Sequence, residues 1–207
     1  NILTIKPGFP EKWNDAALEI PDVSFSFKRI NNIDSYQIKP HFTTKMDLKL
    51  VVKIPFETIK SVTINGEKAT WKTNSDAIGN PQLIVESPFK DNYNIDIRWE
   101  GEKLEQPKVA KSYCIGESIL LETTKAKILE VYDPQSALSE VSKTNSELKA
   151  NLLTKENATF FLKLQQGNTI WWSPINLIVK PEIEAKSTQI ESNNFLFTLK
   201  NNSQKTI

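Results

Sequence analysis

The sharpest local structural signal in this chain is the stretch Val62-Thr63-Ile64-Asn65-Gly66-Glu67-Lys68-Ala69-Thr70-Trp71. Asn-Gly between two alternating segments favours a type I′ β-turn, because both central residues of that turn need positive φ. A two-residue turn predicts the cross-strand pairs Ile64–Glu67, Val62–Ala69 and Lys60–Trp71. Trp71 would then share a face with Val62 and Ile64, so we expect it in a core and not on a ligand-binding surface.

The same period-2 alternation extends outward on both sides of the hairpin. Apolar residues share one face at Val23, Phe25 and Phe27, and again at Ile95, Ile97 and Trp99. Further strands are predicted at residues 46–54, 81–85, 118–121, 127–132, 147–153, 159–164, 169–172, 175–179 and 195–200. Residues 136–149 lack a convincing apolar stripe, and we predict a loop there.

Many short strands separated by turn signals predict an all-β fold with little helix, built from tandem antiparallel β-sandwiches of the immunoglobulin-like type. A polar, turn-rich segment from Gly101 to Pro107 marks a boundary. We therefore predict a first sandwich at residues 1–105, with a Pro-rich N-terminal strap over residues 1–22, and a second sandwich at residues 106–207. Because Pro181 marks another boundary, residues 182–207 either complete the second sandwich or begin a third.

The composition excludes several classes of function. The chain of 207 residues has 26 Lys and Arg against 25 Asp and Glu, a net charge of +1, which argues against a nucleic-acid or anionic-membrane surface. No apolar run approaches the ~20 residues that cross a bilayer. With one histidine and one cysteine, the chain cannot build a two-histidine site, an internal disulfide or a Cys-cluster metal site. We expect no metal and no cofactor.

Catalytic candidates are few. His41 lacks a Gly-x-Ser-x-Gly elbow, and Cys114 has the apolar neighbours of a small buried residue. Glycoside hydrolysis needs only two carboxylates, which keeps Asp91, Asp96 and Asp133 as candidates, although solvated strand edges and turns explain them better. We predict no catalytic residue in this chain.

Aromatic residues offer a possible carbohydrate platform, since the apolar face of a sugar suits an aromatic ring. Trp171 and Trp172 are adjacent, so in a strand they point to opposite faces. One can fill the core while the other lies at the surface, or both can be packed inside. Trp171, Trp172 and Tyr132 are the candidate carbohydrate-binding residues.

The N-terminal segment carries a family resemblance. Lys6-Pro7-Gly8-Phe9-Pro10-Glu11-Lys12-Trp13, continuing through Ile20-Pro21-Asp22-Val23, resembles the junction after the helical barrel in secreted six-hairpin (α/α)6 glycoside hydrolases of Bacteroidetes-type polysaccharide degraders. In those enzymes a Pro-x-x-Pro-x-x-Trp stretch leads into a C-terminal β-sandwich, and here Pro7, Pro10 and Trp13 match it. The hairpin at residues 62–66 and the strand at 94–99 are also similar, and beyond residue 105 the resemblance is weak.

The resemblance implies a non-catalytic β-sandwich region that supports the catalytic domain of a glycan-degrading enzyme. Catalytic acids of that family lie on the barrel, so none is carried over. The implied partners are the barrel, which Phe9 and Trp13 would contact, and a polysaccharide. The implied location is secreted, periplasmic or at the cell surface, and both chain ends look cut from something longer. The alternatives are a carbohydrate-binding module that uses exposed Trp or Tyr, an immunoglobulin-like adhesin or stalk, and, last, an autonomous enzyme.

Overall fold

A computed structural model describes residues 1–10, 12–109, 112–191 and 194–203, which form eighteen strands and no helix. The prediction of an all-β fold is confirmed. The chain divides into two compact units: the first is Asn1–Leu104 with Gln165–Trp172, and the second is Glu105–Leu164 with Ser173–Ile207. The sequence-based division assigns residues 165–172 to the second part, whereas the structure groups them with the first unit.

The first unit is a sandwich of two sheets. Its strands are β1 (Ile2–Ile5), β2 (Asp15–Ile20), β3 (Val23–Ile30), β4 (Ile33–Pro40), β5 (Asp47–Lys53), β6 (Phe56–Ile64), β7 (Glu67–Lys68), β8 (Trp71–Asn74), β9 (Gln82–Ser87) and β10 (Tyr93–Lys103). The six-stranded sheet has the order β2-β3-β4-β10-β6-β7, and the four-stranded sheet has the order β1-β5-β9-β8. Strand β1 pairs with β5 in parallel.

One core fills this sandwich, and the alternation of each strand supplies it. Its side chains include Phe25 and Phe27 from β3, Leu48, Leu50 and Val52 from β5, and Ile95, Ile97 and Trp99 from β10. These are the faces that the period-2 pattern selects, so the predicted burial of Trp99 is confirmed.

The hairpin around Asn65 and Gly66 forms as predicted at its turn. Asn65 and Gly66 have φ of 53° and 83°, and Ile64 pairs with Glu67. The predicted pair Lys60–Trp71 is wrong, because β7 ends at Lys68 and the chain then crosses to the four-stranded sheet. There Trp71 pairs with Val85 of β9, and its half-buried side chain packs against the same core.

The N-terminal strap is more regular than predicted. Its first residues form β1 at one edge of the four-stranded sheet, and residues 15–20 form β2 at one edge of the six-stranded sheet. Only the residues between these strands form an extended connection, in which Glu11 lies outside the described residues. The strap therefore contributes an edge strand to both sheets.

The second half of the chain contains three small sheets. Its strands are β11 (Ser118–Glu122), β12 (Lys127–Tyr132), β13 (Leu138–Lys143), β14 (Glu147–Leu152), β15 (Ala158–Gln166), β16 (Thr169–Leu177), β17 (Ile183–Glu191) and β18 (Asn194–Asn201). The sheet orders are β11-β14-β13 and β12-β15-β16, and β17 pairs only with β18 among the described strands. The predicted loop at 136–149 is wrong: β13 is a strand whose bulge between Ser139 and Ser142 interrupts the alternation.

The tip of the β15–β16 hairpin explains why residues 165–172 join the first unit. Gly167, with φ of 54°, lets the turn approach the backbone of β6 closely. The Asn168 N–H and the Thr169 hydroxyl both donate to the Glu57 carbonyl, at 3.1 and 3.0 Å. Gln166 Nε2 donates to the Lys103 carbonyl at 3.1 Å.

Candidate functional site

A stack of aromatic rings runs from the core of the first unit to its surface. The ring centroids of Tyr36 and Phe27 are 5.1 Å apart, those of Phe27 and Phe9 are 5.1 Å apart, and those of Phe9 and Trp13 are 6.2 Å apart. Tyr36 and Phe27 are buried, whereas Trp13 is 51% exposed. We call these four residues the aromatic column.

Phe9 holds the strap against β3. Pro7 and Pro10 fix φ on both sides of it, and the Trp13 N–H donates to the Pro10 carbonyl at 3.0 Å, which closes a turn. The Phe9 ring is nearly parallel to that of Phe27, at 20°. Offset stacking of this kind adds about 0.5–1.5 kcal/mol to the burial of the ring.

The inner end of the column is a satisfied polar cluster. Arg29 donates to buried Asp34 through two hydrogen bonds of 2.6 Å and lies 5.4 Å above the Phe27 ring. Burial raises the pKa of the Tyr36 phenol far above its usual range, the Asp34 carboxylate raises it further, and the Arg29 cation opposes both only in part. Tyr36 is therefore neutral. The charges of Arg29 and Asp34 compensate each other, as expected of a structural ion pair.

The strand that follows the outer end of the column, β2, carries two exposed apolar side chains. Leu18 pairs with Phe25 and Ile20 pairs with Val23, so their side chains lie on the core side of the six-stranded sheet. Both are nevertheless exposed, at 52% and 40%. Strand β2 is the edge of a sheet with six strands that faces a sheet with only four. We call Trp13, Leu18 and Ile20 the apolar edge.

The two predicted interface residues thus have different roles. Phe9 is half-buried and anchors the strap, whereas Trp13 presents much of its ring to the surface. Leu18 and Ile20 were not among the predicted site residues. The alternation of Ala16, Leu18 and Ile20 in the sequence could have indicated an apolar face on this strand.

The adjacent tryptophans point to opposite faces, as predicted. Trp171 is fully buried, so its assignment as a carbohydrate-binding residue is wrong: no face of its ring can meet a ligand. Trp172 is half-buried, and its backbone is held by residues 77–79. The Trp172 N–H donates to the Ala77 carbonyl at 3.1 Å, and the Gly79 N–H donates to the Trp172 carbonyl at 2.7 Å.

Tyr132 is the most exposed of the three predicted carbohydrate-binding residues, at 56%. It ends β12, and its ring centroid lies 6.3 Å from that of Phe161 at an angle of 32°. Tyr132 belongs to the second unit, whereas both tryptophans are grouped with the first. The ring pair of Tyr132 and Phe161 is thus a small aromatic surface by itself.

His41 lies in a surface cluster with Ser24 and Glu19. The Ser24 hydroxyl donates to Glu19 Oε1 at 2.5 Å and lies 2.7 Å from His41 Nε2. The donor and acceptor roles in the contact between Ser24 and His41 depend on the His41 tautomer. A serine nucleophile needs an imidazole that accepts the serine proton, whereas here the Ser24 hydroxyl donates to Glu19.

Among the other catalytic candidates, Cys114 is buried and Asp96 and Asp133 accept hydrogen bonds from within the chain, whereas Asp91 is exposed. Burial raises the pKa of the Cys114 thiol, and the Glu117 and Glu182 carboxylates raise it further, so the thiol stays protonated and unreactive. Asp96 accepts the Ser35 hydroxyl at 2.6 Å. Asp133 accepts the backbone N–H groups of Gln135 and Leu138, which fixes the loop before β13.

The described residues form neither a metal site nor a membrane-spanning helix. Within the described residues, no three His, Cys, Asp or Glu side chains come together as a metal site. None of the described residues forms a helix with the length and apolar character that a membrane crossing requires. No protein family, no curated protein and no solved structure matches this chain.

Proposed function

We propose that this chain is a non-catalytic β-sandwich region of a secreted glycan-degrading enzyme and that it supports a catalytic (α/α)6 barrel. The observation that carries the proposal is the apolar edge. It lies beside the segment in which Pro7, Pro10 and Trp13 resemble the barrel-to-sandwich junction of such enzymes. The barrel and its polysaccharide substrate are the proposed partners, and the exterior or periplasm is the proposed location.

The physical support is the cost of leaving the apolar edge in water. Trp13, Leu18 and Ile20 are each 40% exposed or more. Contiguous apolar surface on a folded protein commonly marks an interaction site. Covering one large apolar side chain is worth about 1.5–3 kcal/mol. The outer helices of a barrel could cover all three.

The chemistry of the polar groups supports a role without catalysis. Ser24 directs its proton to Glu19, and the Cys114 thiol is held protonated by burial. Asp96 and Asp133 are engaged by Ser35 and by backbone N–H groups. A general acid or base needs a carboxyl or imidazole that is directed at substrate.

The first test is the coding sequence upstream of Asn1. The proposal expects a long run of paired helices there, as in a six-hairpin barrel. An upstream region that encodes only strands, or a start codon and signal peptide immediately before Asn1, would remove the proposal.

The second test is binding in trans to the upstream domain, produced separately. Trp13→Ala and Leu18→Ser should weaken binding, since each removes part of the apolar edge. Leu129→Ser is the matched control, because Leu129 is also exposed but belongs to the second unit. Equal loss of binding with all three variants would show a general instability and not a docking surface.

A carbohydrate-binding module is the second candidate, supported by the exposed ring of Tyr132 beside Phe161. Stacking of one sugar on such a ring would give weak binding. Affinity electrophoresis in gels containing soluble polysaccharides tests it. Retardation that is lost in Tyr132→Ala would favour this candidate, and unchanged mobility in every polysaccharide would exclude it.

A further inference from the structure

The hairpin formed by β17 and β18 lacks a covering layer among the described residues. The two strands pair with each other over Ile183–Glu191 and Asn194–Asn201 and form a sheet of their own. Every position described between 185 and 203 is exposed or half-buried. A two-stranded hairpin is only marginally stable unless another layer packs on it.

The register of the hairpin separates it into two chemically different faces. Directly paired residues share a face, which puts Ala185 with Leu199 and Ser187 with Phe197. One face therefore carries Ile183, Ala185, Ser187, Gln189, Phe195, Phe197, Leu199 and Asn201, and it has no charged residue. The opposite face carries three charged residues, two threonines and one exposed leucine: Glu184, Lys186, Thr188, Leu196, Thr198 and Lys200. Lys186 Nζ lies 3.4 Å from Glu184 Oε1. We call the first of these the hairpin face.

The exposure of the hairpin face is high. Phe197 and Leu199 are both 71% exposed, and Phe195 and Ile183 are 54% and 49% exposed. Since a large side chain presents roughly 150–250 Å², these four residues together expose on the order of 400 Å² of apolar surface. That is about the size of the largest apolar patch on a typical monomer, roughly 300–600 Å², and patches of this size are often functional.

We propose that the hairpin face is a self-association surface, on which two copies of the chain pack their hairpins face to face around a two-fold axis. A flat pleated face is covered best by another flat pleated face, about 10 Å away. A two-fold axis places the same patch on both partners, and this patch brings no like charges together. Glu184, Lys186 and Lys200 remain in water on the outer side.

The size of the surface sets the strength of the association. Two copies would bury on the order of 800 Å², about half of the ~1,600 Å² of a standard interface. The dimer is therefore weak and reversible, with a dissociation constant of roughly 10–500 µM. It goes beyond the proposed support of a barrel, which uses the apolar edge of the first unit.

Sedimentation velocity of the full chain, from about 5 µM to about 1 mM, tests the proposal. The weight-average mass should rise from monomer toward dimer. Phe197→Glu should weaken the dimer at least ~10-fold, because it would bury a charge in the interface. Thr198→Glu is the matched control. Thr198 is next to Phe197 in sequence but lies on the opposite face of the hairpin, so this variant should retain the dimer.

Several outcomes would overturn the proposal. A monomer at every concentration would do so, as would an equal effect of Phe197→Glu and Thr198→Glu. Binding of the monomer to phosphatidylcholine or phosphatidylserine vesicles through Phe197 would assign the face to a lipid surface instead. Loss of the dimer in Leu18→Ser would assign the association to the apolar edge, and this outcome would leave the proposed function standing.

Discussion

Trp99 and Trp13 differ in environment although both are large aromatic residues in the same unit. Trp99 points inward from β10 and is buried among the side chains of both sheets, whereas half of Trp13 is exposed at the end of the aromatic column. The alternation of Ile95, Ile97 and Trp99 identifies the buried one from sequence. Alternation gives no indication of the exposure of Trp13, because Trp13 lies in the connection between β1 and β2 and not on a strand.

Truncation of these two residues should have different effects on stability. Trp99→Ala should lower the free energy of unfolding by about 3–5 kcal/mol, since it empties a large buried site. Trp13→Ala should lower it by about 1 kcal/mol or less, because much of its surface is already in water. Urea unfolding followed by circular dichroism measures both. Equal midpoints for Trp99→Ala and wild type would contradict the register of β10.

Gly167 and Gly116 form a matched pair for testing close approach. Both have positive φ, 54° and 75°, so alanine is strained at either position. At Gly167 a Cβ would also lie 2.8 Å from the Glu57 carbonyl oxygen, whereas at Gly116 nothing lies within 4 Å. We expect a loss of about 1 kcal/mol for Gly116→Ala and about 2–4 kcal/mol for Gly167→Ala. Thermal unfolding of the two variants would show whether the close approach of Gly167 to the Glu57 carbonyl makes Gly167→Ala the less stable variant.

At the scale of the element, alternation predicts strands well where the inward row is wholly apolar. Strands β5 and β10 are of this kind and are found close to the predicted positions, as are β3 and β12, whose rows also include Arg29 and Glu130. Strand β4 escapes prediction because its inward row contains Asp34, whose charge is matched by Arg29 on the neighbouring strand. Strand β13 escapes it because the bulge after Ser139 shifts the register. Both features depend on pairing across strands.

Phe9 should stabilise the edge of the six-stranded sheet. It contacts Phe25 and Phe27, the partners of Leu18 and Ala16 in β2. Phe9→Ala should lower the free energy of unfolding by about 2–3 kcal/mol and should speed amide exchange in β2. Phe195→Ala, at an exposed position of β18, is the control. Unchanged exchange in β2 would show that the strap does not hold that strand.

Glu105 anchors the connection between β11 and β12, and this anchor depends on pH. Its carboxylate accepts the backbone N–H groups of Thr124, Lys125 and Ala126. Partial burial tends to raise the pKa of Glu105, but the hydrogen bonds from Ala126, Thr124 and Lys125 outweigh it and lower the pKa. A lowered folded pKa means that the stabilisation is complete above the unfolded value of about 4.3 and is lost as the pH falls through the folded value.

Glu105→Gln should therefore cost about 1–2 kcal/mol of unfolding free energy near pH 7 and progressively less toward about pH 3. Glu130→Gln, at an exposed position of β12, is the matched control and should show little effect at any pH. Urea unfolding across the pH range gives both curves. A constant difference between Glu105→Gln and wild type would mean that the negative charge is not what the loop requires.

At the scale of the whole molecule, sequence reasoning identifies the all-β class and part of the candidate site. It selects Phe9 and Trp13 through the Pro-x-x-Pro-x-x-Trp segment. Leu18 and Ile20 escape it because their exposure follows from the unequal widths of two sheets. Residues 165–172 join the first unit through hydrogen bonds to Glu57, a residue more than a hundred positions earlier. Contacts of such long range leave no local pattern.

The isolated chain should hydrolyse no glycosidic bond. The motivation is that Asp96 and Asp133 accept hydrogen bonds from Ser35 and from backbone N–H groups of this chain, whereas glycoside hydrolysis requires a pair of carboxyl groups at the scissile bond. Chromogenic glycosides and reducing-sugar release from polysaccharides provide the measurement. Turnover that is abolished by changing one Asp or Glu of this chain would contradict both the prediction and the proposed supporting role.

The turn at Asn65 and Gly66 also affects the chemical stability of the chain, because Asn-Gly is a sequence prone to deamidation. In a flexible chain the amide nitrogen of such a glycine attacks the asparagine side-chain carbonyl, expels ammonia and leaves a succinimide that opens to aspartate or isoaspartate. Here Asn65 Oδ1 accepts the Asn94 N–H at 2.7 Å, and Nδ2 donates to the Asn92 carbonyl at 3.2 Å. Ring closure must break both hydrogen bonds, so the folded state protects this turn from deamidation and unfolding removes that protection.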